Sequence, residues 1–131
     1  MAETSWTEVL GWGEDEIEDL RFVGYSYIKQ GKYEIARTFF EALVVLSPNS
    51  AYDLQTLGAL YLQSGNGLMA LNYLERALKV DPTHGPTLLN RTKALFTLGY
   101  KRQGAMQAKQ LATHADPYIA GEAEALLIAL A

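Results

Sequence analysis

His84 and His114 are the side chains whose ordinary pKa suits proton transfer near neutral pH. General acid–base or nucleophilic work needs such a group held beside a second one. No partnered constellation is visible around either histidine, and both fall at helix edges as solvated loop or cap residues. Gly65-Asn66-Gly67 comes nearest to a phosphate-cradling loop. It is short and no Lys-Ser/Thr follows, so it reads as a turn. Cysteine is absent, which removes disulfides, thiolate metal sites and cysteine nucleophiles. The chain is therefore expected to be no enzyme and to need no cofactor or metal.

The 131 residues, 49% hydrophobic and 20% charged, suffice for one compact domain with a real core. A pI of about 5.1 argues against nucleic acid as a partner, because counterion release needs a basic face. Residues 1–20 hold seven acids and no Lys or Arg, unlike a secretory or transit leader. The longest apolar runs, Ala42–Leu46 and Ala125–Ala131, fall far short of the roughly 20 residues that span a bilayer. Asn90-Arg91-Thr92 matches a glycosylation sequon by chance. No membrane insertion is expected, and the expected compartment is the cytoplasm.

The elements follow from a repeat. Gly31, Gly65 and Gly99 recur every 34 residues, as do Gly24 and Gly58, Tyr27 and Tyr61, Ala36 and Ala70, and Pro48 and Pro82. Glycines after the first helix of each unit and prolines after the second predict helices over 17–30, 33–46, 51–64, 67–80, 85–98 and 101–114. Ser50 with Asp53 looks like a capping box, and Asp116-Pro117 opens a further helix near 118–130.

A 34-residue helix–turn–helix period with these residues resembles the tetratricopeptide repeat. That resemblance implies an all-α fold: a right-handed superhelix of three repeats plus a C-terminal capping helix. The expected division is an N-terminal segment, 1–16, for capping or partner contact, then repeats 17–50, 51–84 and 85–116, then the capping helix, 117–131. Gly24 and Gly58 let paired helices approach closely. In the third repeat Thr92 replaces the small residue and Gly104 replaces the opposing Ala, as if volume had moved across the contact. Arg91, where leucine is usual, makes that repeat the most divergent.

The family's groove positions, carried onto this chain, fall on Arg21, Tyr25 and Ile28 in the first repeat, with Glu18. They fall on Tyr52, Gln55, Ala59 and Leu62 in the second, and on Leu89, Lys93 and Phe96 in the third, with Asn90 alongside. Such a lining suits an extended or helical apolar peptide segment of a protein client. Tyr27, Tyr61 and Tyr73 are assigned to the interior. Repeat proteins that grip the acidic C-terminus of heat-shock chaperones use a basic, amide-rich clamp. Here the clamp positions hold Arg21, Tyr25, Thr56, Pro86 and Asn90, too few donors for that role.

At the start of the first repeat helix, Glu14, Asp15, Glu16, Glu18 and Asp19 complement a helix macrodipole or attract a basic partner segment. Trp6, Val9, Leu10 and Trp12 either fold back on the first repeat or bury against a partner. The stretch from Gly31-Lys32-Tyr33-Glu34 through Leu57-Gly58 and Gln63-x-Gly65 resembles small bacterial type III secretion chaperones. These escort membrane-inserting translocators or, in a shorter kind, needle subunits within a small heterocomplex. The resemblance implies a chaperone holding an apolar client segment before export, with a homodimer or small heterocomplex as its assembly. A general adaptor in a complex unrelated to secretion is one alternative, and an enzyme subunit or regulatory domain without a site of its own is another.

Overall fold

The computed structural model describes residues 5–131. Residues 1–4 of the N-terminal segment lie outside the described residues. The chain forms eight helices and no strand among the described residues: α1 (Trp6–Leu10), α2 (Glu14–Lys29), α3 (Tyr33–Leu46), α4 (Ala51–Gln63), α5 (Gly67–Val80), α6 (Gly85–Thr97), α7 (Lys101–Leu111) and α8 (Pro117–Leu130). α2 packs on α3, α4 on α5 and α6 on α7, and each pair packs on the next. The result is an all-α superhelical stack closed by α8, which rests on both α6 and α7.

Helix ends follow local chemistry. Gly31, Gly65 and Gly99 take φ of 74°, 83° and 84°, the left-handed conformation that ends a helix at little cost to glycine. Asp116 Oδ1 accepts from the Tyr118 amide at 2.9 Å, with Pro117 at the first helical position. Ser50 Oγ accepts from the Asp53 amide at 3.2 Å. The expected capping box is only half made, because the Asp53 carboxylate turns to Arg21 instead.

Phe40, Leu43, Leu54, Leu57 and Leu74 are fully buried, each worth about 2 kcal/mol of hydrophobic transfer. The small residues of the period are what admit them. A Cβ on Gly24 would stand 2.9 Å from the Phe40 ring, and one on Gly58 2.8 Å from Leu74 Cγ. In the third pair the exchange of volume differs from the expected one. The 34-residue register sets Ala108 where Phe40 and Leu74 stand, so Ala108 makes room for Thr92. Gly104 serves another neighbour, since a Cβ there would meet the Phe96 ring at 3.1 Å.

Arg91 has an evident purpose. Its guanidinium donates to Glu75 on α5 and, at 3.0 Å, to Gln107 Oε1 on α7. Gln107 Oε1 also accepts from Thr92 Oγ1 at 3.1 Å. A polar network thus replaces the usual leucine.

The N-terminal tryptophans divide. Trp12 packs on the first core cluster, while Trp6 is 51% exposed on α1, a helix that touches α3.

Candidate peptide-binding groove

A hollow of about 360 Å³ opens between α2 and α4. Five of the expected groove residues, Tyr25, Ile28, Tyr52, Gln55 and Ala59, meet at this hollow. Tyr25 and Tyr52 are 42% and 46% exposed, so their rings stand at the rim with area left to give a partner. Tyr52 leans on Phe40, ring centroids 6.4 Å apart, and Lys29 Nζ sits 5.0 Å from the centre of the Tyr25 ring. Burial pushes the Tyr52 phenol up, so it stays a neutral donor at neutral pH.

Tyr33 and Gln63 also line the hollow and were not anticipated. Tyr33 opens α3, and its counterparts at the 34-residue spacing are Gly67 and Lys101. An aromatic there belongs to the first repeat alone, so the shared pattern could not reveal it. The walls are mainly apolar, with glutamine amides and phenols at the edge. This arrangement can bury a partner's apolar side chains and bond its backbone.

The remaining expected residues go elsewhere. Arg21 closes on the fully buried Asp53, Nε to Oδ1 at 2.6 Å and Nη2 to Oδ2 at 2.7 Å, and also bonds Glu18. The hydrogen bond to Asp53 holds its guanidinium above the usual value. Arg21 therefore fastens α2 to α4 and offers little to a ligand, which removes a donor from the carboxylate clamp.

Leu62 packs on the cluster of Ala70, Leu74 and Ala94. Leu89 is 4% exposed, buried with Ala108 and Ile119. Phe96 covers Gly104. Lys93 stands 3.9 Å from Glu122 of α8, beside a smaller hollow of about 170 Å³ that Leu89, Asn90 and Tyr118 share. In the third repeat Leu89 is thus a packing residue beneath α8, Lys93 pairs with α8, and Phe96 packs on Gly104 of α7.

The histidines act locally. His84 Nδ1 lies 2.7 Å from Thr87 Oγ1, and His114 Nδ1 accepts from the Asp116 amide at 3.0 Å. Both are half-buried rather than solvated. Among the described residues no cluster of ligating side chains could hold a metal, and no helix is long and apolar enough to cross a membrane.

The family model described as tetratricopeptide repeat matches residues 22–50 and 54–84, the first two helix pairs. These two helix pairs are tetratricopeptide repeats. The repeats are similar to those of PcrH, solved with the chaperone-binding region of PopD. Identity is 27% over 92% of this chain and 94% of that one, with a TM-score of 0.80. The translocator chaperone SycD of Yersinia enterocolitica shares the fold at 18% identity, covering 98% of this chain and 99% of that one, TM-score 0.81. So does the first repeat domain of Spaghetti (RPAP3) bound to an HSP90 peptide, at 18% identity, 90% and 92% coverage and TM-score 0.79. No curated protein matches the chain. The tetratricopeptide-repeat chain thus resembles type III secretion chaperones.

Proposed function

We propose that this protein is a non-enzymatic, cytoplasmic chaperone of a type III secretion client, holding an apolar client segment between α2 and α4. The observation that carries this reading is the open, mainly apolar hollow rimmed by Tyr25, Tyr33 and Tyr52. PcrH, similar over almost all of this chain, is a chaperone that binds a region of PopD. In this reading residues 17–116 supply the binding repeats, 117–131 cap the stack and 1–16 serve capping or partner contact. The contacts are Tyr25, Ile28, Tyr52, Gln55 and Ala59, with Tyr33 added.

Occupancy acts by mass action. A client segment buried in the hollow is withdrawn from aggregation, and it stabilises the repeats in return. The test is copurification from the native host, with mass spectrometry of the bound chain, for the unmutated protein and for Tyr25→Ala with Tyr52→Ala. Loss of a secretion translocator from the double variant is the expected result. A partner retained equally by the variant would remove the groove reading. A scaffold component lost from the variant would favour the general adaptor, whose fold Spaghetti shares.

A further inference from the structure

Charge is shared unevenly along the chain. Residues 67–111 hold seven Lys or Arg against two acids, in a chain whose net charge is −4. Five of those bases, Arg76 and Lys79 on α5 and Lys101, Arg102 and Lys109 on α7, are exposed and make no ion pair among the described residues. α7 carries no acid, and the one acid of α5, Glu75, is taken by Arg91. Glu122 of α8 pairs with Lys93 instead. The helical period gathers most of these bases on one side. α5 buries Ala70, Leu74 and Ala77, which turns Leu68, Arg76 and Lys79 outward. α7 buries Gly104, Ala108 and Leu111, which turns Arg102, Met106 and Lys109 outward. Both helices pack on α6. Leu68 is 68% exposed and Met106 59%, so each stripe sets one large apolar side chain among cations.

We infer that the outer face of α5 and α7 docks an acidic amphipathic helix of another protein, away from the groove between α2 and α4. Its apolar side chains cover Leu68 and Met106, and its carboxylates pair with the unpaired bases around them. Charge complementarity selects this occupant: exposed cations of one sign steer an anionic segment in and repel a basic one. The outward residues recur at three- and four-residue spacing, the spacing at which a second helix presents its own side chains. A second copy of this chain fits less well. Its acids gather in residues 14–19, where Glu16 already accepts from the Gly13 amide at 2.9 Å and Glu18 from Arg21. Such a contact would also be head-to-tail, a kind that builds open-ended chains where its rotation does not close. An anionic membrane gains little, because Leu68 and Met106 stand singly on separate helices and offer no apolar face to insert.

The experiment uses the full chain and labelled synthetic peptides of about 18 residues, long enough to hold a helix. Two carry a leucine stripe, one flanked by glutamate and one by arginine, and a third keeps the glutamates without the stripe. Fluorescence anisotropy follows binding. The striped glutamate peptide is expected to bind, more weakly as salt rises, and the arginine peptide is not. Arg102→Glu with Lys109→Glu should weaken the glutamate peptide by about tenfold or more and admit the arginine peptide instead. Met106→Asp should weaken it too, and Tyr25→Ala with Tyr52→Ala should leave it unchanged, which separates this face from the groove. Equal affinity of the striped glutamate peptide for the charge-reversed chain would overturn the inference, and so would equal binding of the peptide without the stripe. Self-association in sedimentation velocity that the charge reversal dissolves would make a second copy the occupant. Flotation with vesicles of phosphatidylcholine and phosphatidylserine, lost on charge reversal while no peptide binds, would make it a membrane.

Discussion

Arg21 on α2 closes a two-pronged ion pair on Asp53 of α4, whose carboxylate is wholly buried. The pair joins the two helices that wall the groove, so it sets the spacing at which Tyr25 and Tyr52 face a ligand. Truncating Arg21 would strand a buried charge. Arg21→Met is expected to cost about 3 kcal/mol in urea denaturation, with Arg21→Met plus Asp53→Leu recovering most of it. Arg21→Lys should fall between, because an ammonium cannot make both bonds in one plane. A single variant as stable as the unmutated chain would show that the pair is not a fastening.

Volume exchange between paired helices makes a second prediction. Gly58→Thr is expected to destabilise by about 2 kcal/mol through collision with Leu74. Gly58→Thr with Leu74→Ala reproduces the third repeat's pairing of Thr92 with Ala108. The double variant should be more stable than the sum of the two single losses implies, a coupling that a double-mutant cycle in denaturant measures.

Leu89 and Tyr52 separate packing from binding. Leu89→Ala should lose about 2–4 kcal/mol of stability by opening a cavity under α8. Tyr52→Ala, on a half-exposed side chain, should change stability by about 1 kcal/mol or less. Its client affinity should fall about tenfold, the usual cost of removing an aromatic anchor. Calorimetry with the copurified client checks both. The opposite pattern would move the groove to the third repeat.

Tyr61 predicts a pH dependence. Its hydroxyl donates to Glu41 Oε1 at 2.5 Å, and that bond, with burial, pushes the phenol up to about 12. A proton held more tightly in the folded chain stabilises it fully below pH 10, and that contribution is lost as pH rises towards 12. Tyr52 and Tyr118 shift in the same direction, so the informative quantity is the difference from Tyr61→Phe. The variant should cost about 1 kcal/mol at neutral pH and show a shallower alkaline loss. Identical slopes in denaturation from pH 9 to 12 would refute the bond's contribution.

Periodic residues were readable before any coordinates, because each does its work within one unit. Gly31, Gly65 and Gly99 end helices by backbone conformation alone, and Gly24 and Gly58 admit the residue sixteen positions on. Tyr25, Ile28, Tyr52, Gln55 and Ala59, which the resemblance to the repeat family points to, do meet at one hollow between α2 and α4.

What depended on neighbours from other units could not be read this way. Arg21 has a side chain suited to a ligand, and only Asp53, thirty-two residues away, commits it to fastening helices. Leu89, Lys93 and Phe96 occupy groove positions by register, yet α8 and Gly104 draw them into packing. Tyr33 reaches the hollow from the start of a different helix. Local sequence dictates where helices begin, end and turn their apolar faces. Whether a given apolar face is spent on the core or left for a partner depends on what the chain later lays against it.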